Sequence, residues 1–319
     1  MIRFENVAKK YEHGSYAVKP LNMEIQAGEL FVIIGPSGSG KTTTLKMINR
    51  LVPMTEGKIL IENQNILEYD INELRWNIGY VLQDIALFPH MTIEENIAIV
   101  PELKNWEKAR IQHRITELLD MVGLDPDEYR NRKPHQLSGG EQQRVGVIRA
   151  LAGDPKIILM DEPFSALDPI SRTKLQDDIL KLYSNIQKTI VFVTHDMNEA
   201  LKLATRICVM KDGEVQQIGT PEEILNQPAN DFVKTFVGTP KRVSNPIVEL
   251  DSIIQLTDTS KDLNPEFALS KSCDLKTIVD RLAYTDELPV ENNGEIIGTI
   301  NRASFYKLMS KRLNESEEV

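Results

Sequence analysis

The chain has 319 residues, enough for a large core and for two domains. It is 41% apolar and 26% charged, a globular composition, and its formal charge of −10 argues against a sequence-independent nucleic-acid binder, which needs a positive field. Two cysteines, Cys208 and Cys273, in no CxxC spacing argue against a disulfide scaffold or a zinc cluster and fit a reducing cytosol.

The opening MIRFENVAKKY lacks the apolar run of a secretory leader. IRFENVAKKY and LNMEI alternate in the manner of strands and predict an antiparallel edge sheet. LFVIIG is a compact apolar run that stops at glycine, which predicts a buried strand ending in a loop, with KTTTLKMINRL following as a helix. GKILIENQNI and IGYVLQ read as strands, and Ile93 to Leu151 is mostly helical in pattern. Strands return in KIILMD and TIVFVTH, separated by a helical stretch from Pro169 to Ile186. ICVMKDGEVQQIG predicts a hairpin with Asp212-Gly213 as its turn. Buried strands alternating with helices imply an α/β fold with a parallel sheet covered on both faces. VGTPKRVSNPIVEL carries Gly238, Pro240 and Pro246 and reads as a linker. Beyond it the rhythm changes: a helix in DLKTIVDRLAY, a hairpin in ELPVENNGEIIGTI with Asn293-Gly294 near its turn, a helix in RASFYKLMSKR, and a frayed acidic end, LNESEEV. No apolar stretch approaches the roughly 18–20 residues needed to cross a bilayer.

GPSGSGKT satisfies G-x-x-x-x-G-K-[ST] between a predicted strand and a predicted helix, the context this phosphate-binding loop requires. Gly35, Gly38 and Gly40 permit tight turns, and the loop from Gly35 through Pro36, Ser37 and Ser39 aims amides at a polyphosphate. Lys41 is placed to reach the β- and γ-phosphates, Thr42 to offer a hydroxyl to Mg²⁺, and Thr43 to add a phosphate contact. In IILMDEP, Asp161 closes a buried strand where α/β ligand sites gather, and is placed to hold Mg²⁺ through water. Glu162 follows, placed to polarise an attacking water. Together these describe a Mg²⁺-dependent nucleotide hydrolase.

A second glycine loop, LSGGEQQR, resembles the signature sequence of ATP-binding cassette (ABC) ATPases, and other motifs follow in that family's order. Gln83 in YVLQD matches the Q-loop, Ser165–Asp168 (SALD) the D-loop, His195 in VFVTHD the switch histidine, and Tyr11 the aromatic that stacks on adenine. The resemblance covers roughly residues 1–238. It implies a P-loop, RecA-like core with an antiparallel edge and a helical subdomain at about 84–152. It also implies that Ser138, Gly139 and Gly140 grip the γ-phosphate of ATP held by a second copy, so that two chains sandwich each ATP head to tail. Glu162 is then the general base, His195 links the γ-phosphate to the interface, and Gln83 senses metal and water. Asp168 belongs to the nucleotide-contacting set.

A narrower resemblance, carried by TTTLKMINRL, FPHMTIEENIA, RKPHQLSGG and PANDFVKTFVG, points to the ATPases of bacterial osmoprotectant importers, which move glycine betaine, carnitine, choline and related quaternary amines. It implies a peripheral subunit on the cytoplasmic face of the cell membrane, docked on separate permease subunits and served indirectly by a substrate-binding protein. An amino-acid or ergothioneine importer, or a soluble ABC ATPase outside transport, are the alternatives. After a linker at 239–250, residues 251–319 resemble a single CBS-like regulatory module of α+β type, which would pair across the ATPase dimer and take an adenine nucleotide or cyclic dinucleotide; a vestigial packing unit is the alternative.

Overall fold

The computed structural model describes residues 1–11, 14–165, 167–186, 188–238, 247–250, 253–254, 268–274, 277–278, 281–282, 285–292 and 295–308. The chain divides into two compact units, Met1–Val237 and Gly238–Val319.

In chain order the first unit holds β1 (Ile2–Lys10), β2 (Tyr16–Ile25), β3 (Leu30–Ile34), α1 (Lys41–Ile48), β4 (Glu56–Ile61), β5 (Gln64–Asn65), α2 (Ile71–Trp76) and β6 (Ile78–Val81). A helical stretch follows, with α3 (Ile93–Leu103), α4 (Lys108–Met121), α5 (Pro126–Tyr129) and α6 (Gly139–Leu151). The unit closes with β7 (Ile157–Asp161), α7 (Pro169–Ile186), β8 (Thr189–Thr194), α8 (Met197–Leu203), β9 (Arg206–Lys211), β10 (Glu214–Gly219), α9 (Pro221–Asn226) and α10 (Asp231–Val237).

The main sheet has the order β10-β9-β3-β8-β7-β6. Its five inner and lower strands run parallel, and only the β9–β10 hairpin is antiparallel. The apolar runs of β3, β7 and β8 are buried throughout because both faces of the sheet are covered. Successive side chains therefore enter different cores. Leu30, Val32, Ile34, Ile190 and Phe192 join the cluster under α3, α4 and α6, while Phe31, Ile33, Val191 and Val193 join the one shared with α1 and the antiparallel sheet. That second sheet, β2-β1-β4-β5, is antiparallel, as the edge strands imply.

Three elements differ from the sequence pattern. β2 begins well before LNMEI, because a bulge opposite Val7–Lys9 lets Val18 and Leu21 both turn inward and hides their period. GKILIENQNI is a hairpin rather than one strand. Glu62 and Asn63 both take left-handed backbone (φ 52° and 67°), which folds β5 back on β4. A short helix, α2, precedes β6 and is nucleated by the Asp70 carboxylate, which accepts from the amides of Asn72 and Glu73.

In the second unit, β11 (Ile247–Glu249) pairs with β13 (Ser272–Asp274), and β12 (Leu269–Ser270) runs parallel to β14 (Glu287–Asn292). β14 forms a hairpin with β15 (Glu295–Asn301), and a helix follows at 302–308. The expected hairpin turn at Asn293-Gly294, the linker positions 239–246 and most of DLKTIVDRLAY lie outside the described residues. Ile247–Glu249, expected in the linker, is a strand, in keeping with its β-branched pair Ile247-Val248. Leu250, Leu269, Ile278, Leu282, Leu288, Val290, Ile300 and Phe305 give this unit its own core.

Phe192 sits fully buried in the middle of β8, with its ring 5.4 Å from that of Phe164. Phe192→Ala is expected to destabilise the first unit by about 3–5 kcal/mol, measured as a shift of its urea unfolding transition.

Candidate functional site

β3 delivers the chain into the loop at residues 35–40. A Cβ at Gly35 would stand 2.1 Å from the Met210 carbonyl oxygen, so only glycine lets the loop leave β3 against β9. Gly40 has φ 96° and a Cβ there would meet Ala17 O at 2.5 Å, which leaves glycine as the residue that can open α1. The loop is tied to the β9–β10 turn, where the Gly213 amide donates to Ser39 O at 3.2 Å. Lys41, 5% exposed, donates from Nζ to Gly35 O at 2.8 Å and Pro36 O at 2.9 Å. Burial pushes the Lys41 pKa down, against the pull of the Glu162 and Asp161 carboxylates. Carbonyls thus hold a poorly solvated ammonium beside the N-terminus of α1, an arrangement that favours an anionic ligand.

Opposite this loop, Asp161 ends β7 and is buried. Thr42 Oγ1 donates to its Oδ1 at 2.8 Å, Tyr80 OH donates to Oδ2 at 3.2 Å, and Lys46 Nζ lies 3.5 Å from Oδ2. Burial, reinforced by the Asp161 charge, raises the Tyr80 phenol well above its usual range, so it remains a donor. Glu162 follows with left-handed backbone, φ 46°, its amide donating to Val193 O at 3.0 Å. This kink ends the strand and presents the side chain to His195, whose Nδ1 lies 3.1 Å from Glu162 Oε2.

A cavity of about 700 Å³ joins these parts. Ser37, Gly38, Gly40, Lys41, Thr42, Thr43, Gln83, Glu162 and His195 line it, together with Ala17. Gly35, Pro36 and Asp161 support it from behind through Lys41 and Thr42. The Ser39 hydroxyl is buried and has no hydrogen-bond partner among the described residues. Tyr11 is half exposed, with Lys9 Nζ 5.3 Å from its ring centroid, and is not among the lining residues.

Ser138, Gly139, Gly140 and Asp168 are not among them either. Ser138 caps α6: its Oγ accepts from the Glu141 amide at 3.3 Å while Glu141 Oε2 accepts from the Ser138 amide at 2.7 Å. Tyr129 OH donates to the other Glu141 oxygen at 2.6 Å, and this bond holds the Glu141 carboxyl below its usual range. A Cβ at Gly139 would meet nothing within 4 Å, so the capped turn presents bare backbone. Ser171 on α7 touches both outlying loops. A Cβ at Gly140 would stand 2.9 Å from its Oγ, and its amide donates to Asp168 Oδ1 at 3.1 Å.

The Thr42 hydroxyl, the Asp161 carboxylate and the Gln83 amide are hard oxygen donors, the set that suits Mg²⁺. Among the described residues no cluster of three or more His, Cys, Asp or Glu forms a metal cage. Sequence reasoning missed Ala17, Tyr80 and Lys46. The tyrosine and lysine had a signal only once Asp161 was known to sit between them.

The ABC transporter family model matches residues 18–165. The glycine betaine/carnitine/choline transport ATP-binding protein OpuCA of Bacillus subtilis is 46% identical over 98% of this chain and 86% of its own length. The choline transport ATP-binding protein OpuBA of the same organism is 48% identical over 100% of this chain and 83% of its own. The osmoprotectant import ATP-binding protein OsmV of Salmonella typhimurium is 44% identical over 95% and 79%. Among solved structures, the ATP-binding cassette MJ0796, a dimer in a post-hydrolysis state bound to ADP and Pi, is 40% identical and superposes with a TM-score of 0.62 over 69% of this chain and 99% of that one. CbiO1 of Clostridium perfringens, part of the ABC transporter complex CbiONQ, is 28% identical with a TM-score of 0.65 over 71% and 90%.

Lys41→Ala removes the buried ammonium from the loop. It is expected to abolish ATP binding measured by titration calorimetry; affinity equal to that of the unaltered protein would overturn this reading of the loop.

Proposed function

This chain belongs to the ABC transporter family of ATP-binding proteins, and on that premise we propose that it is the ATP-hydrolysing subunit of an importer of quaternary-amine solutes such as glycine betaine, carnitine or choline. Relatives named for transport of these solutes match nearly its whole length at 44–48% identity. Among the described residues no helix is long and apolar enough to cross a membrane. In this reading the subunit docks on separate permease subunits at the cytoplasmic face of the membrane, and a substrate-binding protein delivers the solute.

One observation carries the mechanism. Lys41, Thr42, Glu162 and His195 share one cavity, whereas Ser138, Gly139 and Gly140 stand outside its lining, with open space above Gly139. A second copy supplies what the cavity lacks. Two chains meet head to tail, and the partner's Ser138 hydroxyl and glycine amides meet the γ-phosphate that Lys41 and the loop amides hold. A dimeric relative holding ADP and phosphate supports this arrangement. C2 symmetry makes both nucleotide sites equivalent.

Within the site, Thr42, Asp161 and Gln83 would hold Mg²⁺, which supplies charge neutralisation on the phosphates when bound. Glu162 orients the attacking water and accepts its proton at Oε. His195 shares one ring nitrogen with Glu162 and has the other available for the γ-phosphate. Asp168, in the loop beside Ser171, faces the partner. Tyr11 and the loop residues Pro36, Ser37, Ser39 and Thr43 complete the nucleotide contacts. ATP binding then closes the pair, and hydrolysis releases it, a switch set by differential affinity for the closed state. We assign residues 251–319 to a single CBS-like regulatory module that pairs across the dimer and takes an adenine nucleotide or a cyclic dinucleotide. Its separate core and its strand–hairpin–helix order support this.

Glu162→Gln keeps the side-chain shape and removes the base. Hydrolysis is expected to fall at least ~100-fold, and Mg·ATP is expected to trap a species of about twice the 36.2 kDa chain mass in light scattering. A variant that stays monomeric counts against the sandwich. Reconstituted with its permease, the protein is expected to raise its ATPase rate with betaines, carnitine or choline and not with amino acids. Removal of residues 247–319 should preserve the basal rate and abolish the response to added nucleotides.

A further inference from the structure

His195 lies at the end of β8, and the turn that presents it is built by neighbours outside the motif. Thr194, 2% exposed, sits directly before it. Its Oγ1 donates to Glu199 Oε2 at 2.5 Å and accepts from the Asp196 amide at 3.0 Å. Asp196 in turn caps α8, its carboxylate accepting from the Asn198 amide at 2.8 Å. One buried hydroxyl thus joins the end of β8, the backbone just after His195, and a carboxyl one turn into α8.

Glu199 is 7% exposed. It lines a cavity of about 50 Å³ with Glu162, Ser165, Arg172, Thr194, His195 and Asp196. Burial pushes its carboxyl above the usual range, Asp196 adds to that, and Thr194, Arg172 and His195 oppose it. Arg172 reaches this cavity from α7. Its Nη2 donates to Leu167 O at 3.2 Å, so its side chain holds the chain just before α7. Its Nε is buried without a partner among the described residues. The imidazole, Glu162, Glu199 and Arg172 therefore border one small cavity.

We propose that Glu199 is a positioning residue that fixes His195 through Thr194, and that Arg172, facing it across the small cavity, ties that position to the Ser165–Asp168 loop. This rests on the reading of His195 and Glu162 as the hydrolytic pair. Glu199 touches no substrate; it acts by holding the turn, so its loss misplaces the imidazole and leaves the phosphate loop intact. A misplacement below 1 Å at a reacting group is enough to slow a step about 10-fold or more.

The test uses the full chain with Mg·ATP. Glu199→Ala is expected to lower kcat about 10-fold with KM for ATP within twofold and an unchanged thermal midpoint. Glu199→Gln, whose amide oxygen still accepts from Thr194, should restore most of the rate. The ¹H–¹³C resonance of the His195 imidazole, identified by its loss in His195→Ala, should shift in Glu199→Ala and, by a smaller amount, in Arg172→Met, while those of His90, His113 and His135 stay in place. A rise in KM that matches the fall in kcat, an unmoved His195 resonance, or a Glu199→Gln variant as slow as Glu199→Ala would overturn the proposal. Where Glu199→Ala unfolds, Arg172→Met and Glu199→Gln carry the same resonance test. If His195→Ala hydrolyses ATP at the full rate, the assignment of the hydrolytic pair fails instead; a moved resonance with that result separates the two failures.

Discussion

Ile34 is level with Thr194, and Asp161 with Val193, across β3, β8 and β7. This register is the constraint on which the rest of the site depends. Three buried parallel strands stop at one edge, so the residues that follow them, Gly35, Glu162 and His195, emerge side by side. The carboxyl edge of such a sheet is where α/β proteins gather ligands. Here the strand ends are held from both faces by interleaved cores, and a slip of one residue would send each strand's apolar side chains to the wrong core. Packing therefore specifies the geometry of groups that contribute little packing themselves.

The charges at that edge are arranged to be incomplete alone. Lys41 is desolvated and bonded to carbonyls, while Asp161 is buried and saturated by Thr42, Tyr80 and Lys46. The helix N-terminus beside the Lys41 ammonium favours an anion. Interactions at a partly buried site are less screened than at the surface, so few groups set its potential. The left-handed backbone of Glu162 belongs to the same design, since a strand continuing straight would carry that side chain past His195.

Much of this was legible in the sequence because its carriers are local. A glycine-rich loop between a strand and a helix, and an acidic pair closing an apolar run, have few alternative readings, and one cavity is lined by Ser37, Lys41, Thr42 and Glu162 of these motifs, with Gln83 and His195 beside them. The hairpin at Asp212-Gly213 was equally plain, with φ of 50° and 79° at its two turn residues. What escaped was non-local or irregular. The bulge in β2 opposite Val7–Lys9 disguised the start of that strand, and Glu62-Asn63 carries no glycine to announce its turn. Tyr80, Lys46 and Glu199 take their meaning from residues distant in the chain or from burial that no periodicity reports. Tyr11 illustrates the reverse: its motif position is clear, yet its ring lies outside the lining.

Ser171 seats the glycine turn of α6 and the Asp168 loop within one turn of α7. Whatever a neighbouring molecule feels from one of these loops, it feels from the other. In a symmetric pair, a damaged copy would spoil the pocket it owns and also the pocket it lends itself to. Mixed assemblies would then behave as chains with one broken link, each faulty copy silencing the one sound partner it is paired with.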